Sequence, residues 1–102
     1  MLGWGLSLVS TQKDGTIDTF VEFRRVKEDF SFCIPFDSIS DIPAQVNAYA
    51  SEFSILEFVT GDRDSKKTFA ELESDPETKD SLDKAEDIAL WLNELAGSLL
   101  AV

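Results

Sequence analysis

The chain has no histidine, one cysteine, and nine basic residues against twenty acidic ones. Each shortage removes a class of function. Without histidine there is no Ser-His-Asp or Cys-His pair to activate a nucleophile. Zinc sites draw on histidine or several cysteines, and only Cys33 is on offer. A lone cysteine forms no internal disulfide. Cys33 lies among Phe30, Phe32 and Ile34, so it reads as a small buried core residue rather than a reactive thiol. No apolar run is long enough to span a bilayer. The start, Met1-Leu2-Gly3-Trp4-Gly5-Leu6, lacks the charged region and cleavage site of a signal peptide, which implies a cytoplasmic location. A net charge of −11 disfavours direct contact with nucleic acid or an anionic membrane. No cofactor is implied.

What is present fits one compact domain over residues 1–102. The hydrophobic fraction is 43%, and eight Phe, two Trp and one Tyr supply bulk for a core. The charge is unevenly spread. Residues 1–35 carry a net −1 and residues 36–102 a net −10.

The first third alternates like a sheet. Trp4, Leu6 and Leu8 fall on one side of a strand, and Lys13-Asp14-Gly15 marks a hairpin turn. Ile17, Thr19, Val21 and Phe23 then share a face of a second strand. Lys27-Glu28-Asp29 breaks the pattern, and Phe30, Phe32, Ile34 and Phe36 share a face of a third. Pro35 places that strand's end there or puts it at an edge. Next, Pro43 opens a helix whose stripe is Ile42, Val46, Tyr49, Ala50 and Phe53. Residues 54–60, β-branched at their end and stopped by Gly61, read as a fourth strand, with a continuous helix through Val59 as the competing reading. Residues 61–75 read as a polar connector, with Phe69 and Leu72 pinning a helical turn. Asp75-Pro76-Glu77 starts a long helix reaching about Leu100. Leu82, Ala85, Ile88, Ala89, Leu92, Leu95, Ala96 and Leu99 form its apolar arc. The expected class is α+β: a mainly antiparallel sheet of about four strands, in the order β-β-β-α-β-α, with two helices on one face.

Sites read from motifs are weak. Residues 61–68 approach the phosphate-loop pattern, but Lys66 stands where the second glycine belongs, and Asp62 and Asp64 would repel phosphate. As a calcium loop, Asp62, Asp64 and Glu73 match ligand positions, while Lys66 and Lys67 occupy places that need a ligand and a glycine. The expected reading is a solvated connector. Glu57, between Leu56 and Phe58, is the best carboxyl for acid–base work, and alternation turns it outward.

The remaining signal is acidic surface. Asp83, Glu86, Asp87 and Glu94 lie on the face of the last helix opposite its apolar arc, and Leu90 projects into their midst with Trp91 at the border. A face of this kind suits docking on a basic groove, such as the nucleic-acid channel of a nuclease or other defence protein. The expected function is a non-enzymatic binding protein of inhibitor or immunity type. Its partner-binding residues would be Asp83, Glu86, Asp87, Leu90, Trp91 and Glu94, with Asp62 and Asp64 as outliers. The alternative is a structural or accessory subunit that forms a homodimer or larger assembly through Leu90, Trp91 and an open sheet edge, its acids serving solubility alone.

Overall fold

The computed structural model describes residues 3–100. Three strands, β1 (Gly5–Lys13), β2 (Thr16–Arg25) and β3 (Phe30–Pro35), make an antiparallel sheet in the order β1-β2-β3. Asp14 and Gly15 both take positive φ, 52° and 79°, as the two-residue hairpin between Lys13 and Thr16 requires. Asp29 at φ 53° closes the second turn, its N–H donating to the Val26 carbonyl. β3 stops at Pro35 on the sheet edge, where the missing N–H breaks no ladder.

Among the described residues a single 3-10 turn (Ile39–Asp41) and four α-helices follow: α1 (Ile42–Glu52), α2 (Ile55–Thr60), α3 (Phe69–Ser74) and α4 (Pro76–Leu100). The class is α+β, with a three-stranded sheet instead of four strands and four helices instead of two. The difference lies mainly at residues 54–60, which form α2 and not a strand. Ser54 Oγ accepts from the Glu57 N–H at 3.2 Å, and Gly61 closes the helix at φ 80°, donating to the Glu57 carbonyl at 2.8 Å. Thr60, β-branched, is held by its hydroxyl on the Leu56 carbonyl. Caps at both ends outweigh the strand preference of Val59 and Thr60.

The core lies between one sheet face and the helices. Val21, Phe23, Phe32 and Ile34 pack with Val46 of α1 and Ile88, Leu92, Leu95 and Ala96 of α4. Phe23 stacks on Phe32 with centroids 5.1 Å apart, and Phe32 stacks on Tyr49 at 4.4 Å. α2 and α3 lean on α4 rather than on the sheet. Leu72 is the buried peg of α3, whereas Phe69 remains exposed. α4 spans the predicted range, and Asp75 Oδ1 accepts from the Glu77 N–H at its start.

Cys33 is exposed, correcting its expected burial. Phe32 and Ile34 point to the helices, so alternation turns Cys33 to the outer face of the sheet, opposite Glu22. The tip of the β1–β2 hairpin extends beyond β3, whose pairing with β2 begins only at Phe20. The radius of gyration is 15.7 Å, above the roughly 13 Å expected of a compact chain this long.

Candidate functional site

α4 brings five of the expected residues together. Its buried side holds Leu82, Ala85, Ile88, Leu92, Leu95 and Ala96. That fixes the rotation of the helix, and Asp83, Glu86, Asp87, Leu90 and Glu94 all come out exposed. Leu90 is 56% exposed. Helical spacing sets Glu86 and Asp87 one turn before it and Glu94 one turn after, so carboxylates flank an accessible leucine on both sides. Asp83 adds a further turn. Asp83 to Glu94 covers about 16 Å along the axis. Among the described residues the ion pairs are Arg24–Glu22, Arg25–Glu28 and Arg63–Glu57, and none involves an α4 carboxylate. Lys84, on the same helix, reaches toward the Asp29 carbonyl at 3.5 Å instead.

Trp91 does not belong to that face. It is half-buried, 6.4 Å from the Phe30 ring, with the Arg25 guanidinium 4.6 Å from its centroid. Its ring is committed to joining α4 to the sheet.

Asp62 and Asp64 lie on the α2–α3 connection and not on α4. Asp62 shapes that loop, its Oδ1 accepting from the Asp64 N–H at 3.0 Å. Thr68, the hydroxyl position of the phosphate-loop reading, is the N-cap of α3. It forms a reciprocal capping box with Glu71. No group of three or more His, Cys, Asp or Glu among the described residues is placed to hold a metal ion. No helix among them is long and apolar enough to cross a membrane.

Glu57 is exposed and paired with Arg63, whose Nε lies 3.0 Å from Glu57 Oε2. Arg63 also donates to the Glu52 carbonyl, and so spans an open cleft of about 380 Å³ lined by Tyr49, Phe53 and Phe58.

Arg25 was not legible as a key residue. Its side chain is only 12% exposed, sits between Trp4 and Trp91, and donates to Glu28 at 3.1 Å. The available signal was register: pairing Gly5 with Arg24 brings Trp4 beside Arg25. Comparison with protein-family models, with curated proteins and with solved structures finds no match.

Proposed function

We propose that the protein is a non-enzymatic binding protein whose α4 face covers a basic, nucleic-acid-handling site on a partner protein. The supporting observation is Leu90, exposed and flanked by Glu86, Asp87 and Glu94 with no cation paired to them among the described residues. Four carboxylates on one rigid helix offer charge where phosphates would otherwise lie. Leu90 supplies an apolar anchor inside the charged rim. Because the helix is already fixed by its buried side, little ordering is lost on docking. Long-range attraction between a −11 chain and a basic groove speeds encounter and makes binding fall with salt. Trp91 is outside this surface, and Asp62 and Asp64 contribute only to the general field.

The test is capture of partners from host lysate at low and high salt, comparing the native chain with the triple variant Asp83→Asn, Asp87→Asn, Glu94→Gln. A basic partner retained at low salt, released at high salt and lost in the variant supports the reading. Circular dichroism should show the variant folded. Equal retention by both proteins would remove the α4 face from consideration.

A further inference from the structure

The two edges of the sheet differ. β3 is six residues long and ends in Pro35, and α1 packs beside it. β1 is nine residues long and pairs with β2 without interruption, from Gly5 opposite Arg24 to Lys13 opposite Thr16. It has no proline and no bulge, and its one charge is Lys13 at the end. Exposed edges are normally blunted by such features, because their free N–H and C=O groups recruit further strands. β1 is left open.

The inner face of β1 is also bare. Leu6 lies opposite Phe23 and Leu8 opposite Val21, so all four point to the same side of the sheet. The helices bury Phe23 and Val21 but leave Leu6 47% and Leu8 65% exposed.

We propose that β1 pairs antiparallel with β1 of a second copy, about a two-fold axis at Leu8, joining two three-stranded sheets into one. The charge distribution selects a second copy as the occupant. Two chains of net charge −11 repel, and they approach most easily through surface without carboxylates. Residues 1–13 are the longest run in the sequence lacking Asp and Glu, and β1 lies within it. With the axis at Leu8, each Leu8 faces its counterpart, Leu6 faces Ser10, Ser7 faces Val9 and Gly5 faces Thr11. No like charges meet. The leucines of both copies form one apolar stripe on the inner face, and neutral, mostly small residues pair on the outer one. The symmetry is isologous, so the contact closes at two copies rather than growing into a fibre. A strand this long extends about 30 Å, which makes an interface below the standard size and a concentration-dependent dimer.

This contact is independent of the α4 face, and the two respond oppositely to salt. Salt screens repulsion between like-charged copies and tightens the dimer, whereas it loosens docking on a basic partner.

Sedimentation equilibrium on the full chain, over a range of protein and salt concentrations, tests the proposal. The native chain should show a dimer that strengthens with salt. Leu8→Lys and Leu8→Glu should each weaken it at least about tenfold, since the new charge meets its own copy. Mixing the two variants should restore a dimer through the opposite charges. Leu8 is mostly exposed, so both variants should keep the native circular dichroism; Ser10→Lys, which would face Leu6, provides a second weakening variant on the same face. The Asp83→Asn, Asp87→Asn, Glu94→Gln protein should dimerise at least as well as the native chain. A native chain monomeric under all conditions overturns the proposal, as does a dimer indifferent to Leu8→Lys or a mixture that stays monomeric.

Discussion

The Arg25 guanidinium lies 4.6 Å from the centroid of the Trp91 ring, while Trp4 faces it at 5.1 Å. A cation between two indole rings, ion-paired to Glu28 at 3.1 Å, ties the end of β2 to α4 and to the residue preceding β1. Each such contact contributes about 0.5–2 kcal/mol, more as water is excluded. Arg25→Ala is expected to lower stability by about 2–4 kcal/mol, since it removes the charge, the stacking and the packed stem together. Arg25→Lys should recover only part of this, because an ammonium does not stack between planar rings. Urea unfolding followed by tryptophan fluorescence measures both. A loss under about 0.5 kcal/mol for Arg25→Ala would mean that the sandwich carries no net stability.

Phe23 is fully buried, stacked on Phe32 and met edge-on by Trp4 at 6.4 Å. Phe23→Ala would open a cavity where sheet and helices meet. A cost of about 3–5 kcal/mol is expected. In a domain of this size that can approach the whole stability. Phe23→Leu keeps most of the volume and should cost less. The comparison of the two unfolding midpoints separates cavity formation from loss of the aromatic stack.

Tyr49 gives a pH dependence of defined sign. Burial raises its hydroxyl above the ordinary 10.0, and the negative charge of ionised Cys33 raises it further. The folded chain therefore holds this proton more tightly than the unfolded chain. The associated stability is complete below pH 10.0 and is lost as pH rises through the folded-state value. Tyr49→Phe should flatten the fall of the denaturation midpoint above pH 10.0, and Cys33→Ser should flatten it less, because burial is the larger cause. An equal slope in Tyr49→Phe would show that other groups govern the alkaline limb.

Cys33, exposed on the outer face of β3, should react with a thiol reagent in the native protein nearly as fast as in the denatured chain. A buried thiol would wait for unfolding. The same strand shows how sequence reading succeeds and fails here. Period-two alternation placed Phe30, Phe32 and Ile34 on one face, and that placement itself required Cys33 to face away. The hydrophobic neighbourhood along the chain suggested a core residue, but in a strand the neighbours in space are at i ± 2. At residues 54–60 the stronger signals were also present. Ser54 followed three residues later by Glu57, with Gly61 beyond, announces a short helix more firmly than Val59 and Thr60 announce a strand. The long helix was legible because Asp75-Pro76 marks its start and its apolar arc never breaks. Helical period also gave the outward face of α4. Which sheet edge would remain open depends on where the helices settle, and no local pattern in β1 encodes that.

Leu90 and Trp91 are adjacent in sequence yet differ in what they support, and their substitution separates binding from stability. Leu90 is 56% exposed, so Leu90→Ala should change stability by no more than about 0.5 kcal/mol while weakening partner binding. Leu90→Glu should cost somewhat more, about 0.5–1 kcal/mol, through repulsion from Glu86, Asp87 and Glu94 at helical spacing. It should weaken binding by removing the apolar anchor, even though it adds negative charge. Trp91→Ala behaves the other way. Its ring packs against Phe30 and Arg25, and its loss should cost about 2–4 kcal/mol. Below its unfolding transition, Trp91→Ala should keep partner affinity within a few fold. Urea unfolding and binding measured on the same three variants decide the matter. A Leu90→Ala protein that binds as tightly as the native chain would strip the α4 face of its anchor, whatever the salt dependence.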